Sequence, residues 1–372
     1  TLESVGDRAY IYSLVDYTPN PHNVKHYARI VRDMAFKRSL IEVGYEVTSL
    51  GYSTANGVEE AFDKSESAIF GVGKRMRRER LTPIRIPLKE SFHRMEKARK
   101  EGSSITGVET GFTHLDKLTS GLQPSNLIII GGRTAMGKTS LALNIAHYAS
   151  VRKRIGVLIF SLEMSKIELS ERLLCTQAKV SSTDYRTGKI SDERLVEVVG
   201  ATGVLSSAPI FIDDTGDITL TQMRSKSRQL MSKEDIGLII IDYMQLMHIP
   251  GFREGRTQEV SRIARELKFL AMELEIPVIA VSQLRRPSQS VVKKEPNLED
   301  LRESGAIEQN ADLVLLIYRR EVDDPRSLDH KGKAEINLAK HRSGETGKFE
   351  LGWRGEHTQF TNLSAEEEAF PS

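Results

Sequence analysis

Gly132-Arg133-Thr134-Ala135-Met136-Gly137-Lys138-Thr139 decides the fold: a glycine-bounded loop ending in Lys-Thr, set between the apolar run Leu127–Ile130 and the helical pattern Leu141–Tyr148. A triphosphate carries closely spaced negative charges, and many donors must reach it without side chains in the way. Gly132 lets the chain turn sharply off a strand, Gly137 lets backbone N–H groups face the phosphates, and the following helix aims its positive end at the anion. Lys138 supplies a mobile charge for the β- and γ-oxygens. The Thr139 hydroxyl is the natural ligand for an accompanying Mg²⁺, with Ser140 beside it among the nucleotide-binding residues. Motif and context together imply a phosphate loop for a nucleoside triphosphate.

From residue 105 onward, short β-rich runs alternate with longer helical patterns, which predicts an α/β domain around a largely parallel sheet. The strands are expected at Leu127–Ile130, Gly156–Phe160, Ile210–Ile212, Leu238–Ile241, Val278–Val281, Leu313–Ile317 and Ala334–Leu338. Val260, Ile263, Ala264, Leu267, Leu270, Ala271 and Leu274 recur at helical spacing, so Gln258 to Glu275 reads as one amphipathic crossover helix. Upstream, residues 1–75 carry a helical pattern broken at Thr18-Pro19-Asn20-Pro21, Gly51 and Gly57. A basic cluster, Lys74 to Arg80, and a stretch marked by Pro83 and Pro87 then indicate a linker over 76–104. Within it Leu88, Phe92 and Met95 form the narrow apolar stripe of a short helix, about 88–100. The motor-sized domain spans 105–363, and 364–372 is an acidic tail.

Bulk properties set outer limits. The 372 residues suffice for one large core and an appendage, and 39% hydrophobic content fits a globular protein. Lys and Arg number 53 against 51 Asp and Glu, so any nucleic-acid affinity must come from a local patch. The lone cysteine, Cys175, excludes an intrachain disulfide or a zinc framework and reads as a buried thiol. No apolar stretch is long enough for a bilayer and no signal-peptide pattern opens the chain, so a cytoplasmic location without a membrane partner is expected. The chain begins at Thr1 inside a helical pattern, as a fragment or processed product would.

Hydrolysis of a triphosphate also needs a metal partner, a carboxylate for the attacking water and positive charge near the γ-phosphate. Leu238-Ile-Ile-Ile-Asp242 is an apolar strand ending in an acid, suited to hold Mg²⁺ together with Thr139. Glu163 follows another apolar strand and is the candidate general base; the alternative is a carboxylate stabilised by the dipole of the helix beginning near Ser165. Gln283, at a third strand end, either senses the γ-phosphate or caps the next turn.

These residues together resemble the DnaB-type replicative helicases of the RecA-like ATPase superfamily. The resemblance covers 105–363 through Thr110-Gly111-Phe112, Leu115-Asp116, Gly121-Leu122, the loop at 132–139, Ser161-Leu162-Glu163-Met164, Ile241-Asp242-Tyr243, Ser282-Gln283-Leu284, Leu301-Arg302-Glu303-Ser304-Gly305 and Lys340-His341-Arg342-Ser343-Gly344. It implies a RecA-like fold, a hexameric ring with ATP at subunit interfaces, and single-stranded DNA in the channel with 5′ to 3′ movement. Lys340 and Arg342, which alone read as exposed charges, match fingers that reach a neighbour's nucleotide. Arg302, Glu303 and Gly305 match a DNA-contacting loop; alone they read as a solvated loop. His341, between the fingers, receives no role.

The resemblance also makes the 88–100 helix one that packs on an adjacent subunit, makes residues 1–75 the remnant of a helical amino-terminal domain, and names a primase and a loader as possible partners. Arg253 and Arg256, among glycines in Met247 to Thr257, add a second candidate channel element. Two other functions share some of these features: a filament-forming recombinase, and an assembly module that binds ATP without unwinding. The carboxyl-terminal fingers and linker helix disfavour the first, and Glu163 with Asp242 the second.

Overall fold

Alternate residues of each central strand face opposite sides of one sheet, and both sides are apolar. Ile128, Ile130, Ile159, Ile240 and Ile279 pack into one core, while Leu127, Ile129, Phe160, Ile241 and Val278 pack into another. A strand buried on both faces must be covered by helices on both, which is the setting of parallel sheets. The computed structural model describes residues 24–53, 57–58, 61, 64–65, 68–69, 71, 82–101, 105–284, 295–301, 305–323 and 330–363. The chain divides into two units, Thr1–Pro87 and Leu88–Ser372.

The first unit contains a 29-residue helix, α1 (Val24–Tyr52). Helix α2 (Arg85–Glu101) starts at its end. The apolar stripe led us to expect α2 to begin at Leu88. It begins a turn earlier because Ile86 N–H bonds Pro83 O and because Pro87, lacking an N–H, costs nothing in a first turn. Leu88, Phe92 and Met95 are all exposed. The basic cluster at 74–80 and the acidic tail lie outside the described residues.

The second unit holds α3 (Thr113–Thr119), then β1 (Leu127–Gly132), α4 (Lys138–His147), β2 (Gly156–Ser161), α5 (Lys166–Ala178), α6 (Ser182–Thr187) and α7 (Asp192–Ser206). It continues through β3 (Ile210–Asp213), α8 (Leu220–Met231), β4 (Ile236–Asp242), α9 (Arg256–Leu274) and β5 (Val278–Gln283). Last come α10 (Gly305–Asn310), β6 (Leu313–Tyr318), α11 (Arg320–Asp323), β7 (Lys333–His341), β8 (Gly347–Arg354) and β9 (Gln359–Thr361). The strands form one sheet in the order β3-β2-β4-β5-β1-β6-β7-β8-β9. Pairing is parallel from β3 through β6 and antiparallel from β6 onward. All seven expected strands are present.

Helix α9 runs Arg256–Leu274 rather than 258–275, because the loop ends at Gly255 (φ 95°) and Glu275 (φ 58°) turns left-handed to close the helix. Its buried Val260, Ile263, Leu267 and Leu270 cover one sheet face, and Leu141 and Ile145 of α4 cover the other. Cys175 is buried in α5, where desolvation raises its thiol pKa. Among the described residues no helix is long and apolar enough to cross a membrane.

Asp116 explains the Thr-Gly-Phe···Leu-Asp spacing. Its buried carboxylate accepts from Thr110 N–H (2.9 Å), Thr110 Oγ1 (2.8 Å) and Gly111 N–H (3.2 Å), fastening the entry loop onto α3. Gly111 has φ 84°, and a Cβ there would lie 2.6 Å from the Tyr148 ring. Asp116→Ala would strand these donors, so urea unfolding should show a loss of about 2–4 kcal/mol, with Asp116→Asn restoring part of it.

Candidate active site

The phosphate loop leaves β1 at Gly132 and enters α4 at Lys138. Two residues in it take the left-handed conformation, Ala135 (φ 66°) and Gly137 (φ 94°), which turns successive N–H groups toward one side. Gly137 is required twice over, since a Cβ there would also come within 2.9 Å of Phe360. The Lys138 ammonium donates to Arg133 O at 3.0 Å, within the loop itself. Burial lowers its pKa, and the charges of Asp242 and Glu163 oppose that shift.

Asp242 and Glu163 are brought together by strand register. Ser161 of β2 pairs with Asp242 of β4, and Leu162 N–H donates to Asp242 O at 2.7 Å, so Glu163 emerges beside the aspartate. The Ser161 hydroxyl donates to Met164 O at 2.6 Å and closes the turn that carries Glu163 outward. Helix α5 is capped without Glu163: Ser165 and Glu168 form a capping box, and Asp214 accepts from Lys166 N–H at 3.0 Å. Glu163 is therefore left to the cleft.

Asp242 is the electrostatic anomaly. Both carboxylate oxygens are buried with no hydrogen-bond partner. Desolvation raises its pKa, with Glu163 adding to the rise; the adjacent Thr139 hydroxyl, which lies close without a formed bond, and the charges of Lys138 and Arg172 pull it down. A desolvated carboxylate beside a threonine hydroxyl is a donor set that fits a hard divalent cation. Among the described residues no group of three or more His, Cys, Asp or Glu side chains could hold a metal unaided.

These groups line a cleft of about 330 Å³ that also takes in Ser140, Thr134, Arg172, Tyr243, Gln283, Arg319, Trp353 and Thr358. Gln283 faces the phosphate loop: its carboxamide donates to Thr134 Oγ1 at 2.9 Å. Its backbone N–H is accepted by Gln245 Oε1 (3.1 Å), and Gln245 Nε2 donates to Ser282 Oγ (2.8 Å). Arg319 donates to Ala135 O at 3.0 Å and stacks over Trp353, 4.4 Å from the ring centroid. Arg172, Arg319 and Trp353 were not expected from the sequence. The period-two run Lys348-Phe349-Glu350-Leu351 was the available signal for β8, which carries Trp353.

The remaining candidates lie elsewhere. Gly305 is the first residue of α10; Arg302 and Glu303 lie outside the described residues. Arg253 is exposed. Arg256 is exposed but tied to its own loop, donating to Gln245 O, to Met247 O at 3.0 Å and to Glu259 at 2.6 Å. It braces the loop, and a DNA contact would require breaking these bonds. Lys340 donates to Glu308 O (2.5 Å) and Ala311 O (2.8 Å), and Arg342 to Asp312 Oδ1 (3.0 Å) and Gln309 O (3.1 Å). Burial lowers the Lys340 pKa, with the Arg342 charge in support. His341 bonds Glu345 O at 3.1 Å and packs over Gly344, a role in the hairpin turn.

The family model for the DnaB-like helicase C-terminal domain matches residues 107–362. The chain belongs to the DnaB-like helicases. It is 40% identical over 365 residues to replicative DNA helicase DnaB of Geobacillus stearothermophilus, covering 97% of this chain and 80% of the relative. The DnaB of Pasteurella multocida is 42% identical over 370 residues, covering 97% and 79%. Among solved structures, a DnaB-like replicative helicase described with its primase interactions superposes at TM-score 0.80 with 30% identity, over 98% of this chain and 85% of that one. A second solved structure, an ATPase domain, gives TM-score 0.71 at 35% identity, over 76% of this chain and 99% of that one. The second unit is thus a RecA-like ATPase domain that binds nucleotide, and the protein is an ATP-dependent replicative DNA helicase.

Trp353 is the only tryptophan of the chain and lines the cleft. Its fluorescence should change saturably as ATP is titrated, and Lys138→Ala should abolish both this change and turnover; an unaltered titration in that variant would remove Lys138 from the site.

Proposed function

We propose that this helicase hydrolyses ATP at interfaces between the subunits of a hexameric ring moving 5′ to 3′ along single-stranded DNA. The observation that carries the proposal is sheet polarity. Lys340 is level with Val314 and hence with Ile129, while Gly132 lies three residues further toward the nucleotide, about 10 Å at ~3.3 Å per residue. Arg342 lies lower still, its N–H bonding Asp312 O at 2.8 Å. Neither side chain can reach its own phosphate loop from the opposite end of the sheet, so a finger role requires a second subunit.

Within one site, Lys138 and the loop amides bind the phosphates, and Thr139 and Asp242 would hold Mg²⁺, which neutralises phosphate charge when bound. Glu163 orients and deprotonates the attacking water. Arg342 and Lys340 of the neighbour stabilise charge on the transferred phosphoryl group. Gln283 joins the phosphate loop to Gln245 and so to the loop braced by Arg256, a route by which nucleotide state reaches DNA. Arg302, Glu303, Gly305 and Arg253 follow the DNA backbone. The exposed stripe Leu88, Phe92 and Met95 of α2 docks on a neighbour's α7, where Leu195, Val196 and Val199 are exposed. A relative is described with its primase interactions, and a primase and a loader are the proposed protein partners of this cytoplasmic enzyme.

Arg342→Ala rings should bind ATP normally and turn over at least ~100-fold more slowly. Mixing them with Glu163→Gln subunits should restore activity at interfaces where an intact base meets an intact finger; absence of recovery would remove the finger from the neighbour's site. Arg253→Ala should weaken single-stranded DNA binding equally across sequences and reduce the salt slope by about one counterion, read from titrations at several salt concentrations. A sequence-selective loss would contradict a backbone contact.

A further inference from the structure

Arg342 is held by a buried acid that the reaction itself does not use. The Asp312 side chain is 5% exposed, against 51% for Arg342, so the carboxylate is fixed inside the fold while the guanidinium stands at its surface. Asp312 is anchored to β1 in both directions: its N–H donates to Leu127 O at 2.9 Å, and its Oδ2 accepts from Leu127 N–H at 2.8 Å. The same oxygen accepts from Lys268 of α9 at 2.6 Å, and Lys268 also donates to Ser125 O at 2.8 Å. The other oxygen takes the Arg342 guanidinium at 3.0 Å, while Asp312 O accepts the Arg342 backbone N–H at 2.8 Å. Both ends of Arg342 are therefore tied to one residue, which is itself fastened to the central strand.

The charge balance matters as much as the geometry. A carboxylate paired with Arg342 alone would neutralise the group that has to stabilise a phosphoryl transition state. Here one carboxylate is shared by two cations, so the cluster keeps a net positive charge. Two of the five guanidinium N–H groups are used internally, on Asp312 and Gln309, which fixes the plane and leaves the others available. We propose that Asp312 is a positioning residue for the trans-acting Arg342, with Lys268 as the counter-cation that keeps the finger's charge available to the neighbouring subunit. This rests on the finger reading given above.

The test is steady-state ATP turnover by rings of Asp312→Asn, Lys268→Met and the Asp312→Asn/Lys268→Met double variant, alone and in mixed rings. The subunit's own phosphate loop is at the far end of the sheet, so KM for ATP should stay within about twofold. A misaligned finger should lower kcat by about ten- to a hundredfold in the Asp312 variants. Mixing either Asp312 variant with Glu163→Gln subunits should restore turnover, because the Asp312 variant keeps a complete nucleotide site and receives an intact finger. Mixing with Arg342→Ala should restore nothing, since both defects lie on the same side of the interface. A purely structural role would not sort the variants in this way.

Recovery of Arg342→Ala but not of Asp312→Asn by Glu163→Gln would overturn the positioning role and leave the trans site standing. Failure of both would remove the finger reading and this inference with it. Should neither Asp312 variant form rings, Lys268→Met decides: unchanged kcat would overturn the proposal, and a kcat loss with constant KM and recovery by Glu163→Gln would support it.

Discussion

Parallel strands deliver their carboxyl ends to one edge of a sheet, and every nucleotide-facing group depends on that polarity. β1 ends in the phosphate loop, β2 leads to Glu163, β4 ends in Asp242 and β5 in Gln283. Register then does what sequence distance cannot: pairing Ser161 with Asp242 brings Glu163, two residues on, beside an aspartate far along the chain and makes one acidic pair. The change of direction at β7 has the opposite effect, because an antiparallel strand carries its end away from that edge. Lys340 and Arg342 leave the sheet where α10 ends, far from the loop of their own chain.

The electrostatics of the cleft follow from the same placement. A strand end buried on both faces offers little water to a carboxylate, so Asp242 is desolvated and left without hydrogen bonds. Glu163, one short turn beyond its strand, stays exposed. Two acids with different solvation can hold different duties, one suited to a cation and the other to water. Lys138 sits between them, its charge opposed by burial and supported by both acids. The loop is braced by Arg319, Trp353 and Phe360, so its backbone donors need little reorganisation to meet an anion.

Much of this was legible in the sequence because apolar runs and glycine spacing report local physics. All seven expected strands form, and α9 is displaced by only a residue or two, since its stripe of Val260, Ile263 and Leu267 is long and regular. β8 and β9 are hard to read in the sequence because they lie beyond the parallel core, where only Phe349 and Leu351 in β8 and Phe360 in β9 are large apolar residues marking the buried face. Arg319 and Trp353 could not be assigned without knowing that β6 and β8 run parallel to β1 and end at the same edge of the sheet. Arg256 reads as a free cation in sequence, yet besides Glu259, at i+3 spacing, its partners are backbone carbonyls of its own loop, which no pattern of side chains announces. Asp312 was invisible for a similar reason: its importance lies in joining Leu127, Lys268 and Arg342, residues far apart in the chain.

A single chain of this fold is left with unfinished business at two kinds of surface. Its finger residues are held beside solvent at the end of the sheet that carries no phosphate loop, and two helices, α2 and α7, present apolar residues outward. Apolar groups exposed in a row are stabilised by a partner surface, and the association that covers them also decides which nucleotide the fingers approach. On the proposed reading, coupling the two makes turnover depend on assembly without any separate switch: a lone subunit keeps its nucleotide site, with Lys138, Arg172 and Arg319 in the cleft, and lacks only the charge of a neighbour's fingers. The shared carboxylate of Asp312 fits this economy. It holds Arg342 in place before a neighbour arrives, and because Lys268 shares the same anion, the guanidinium is oriented without being neutralised.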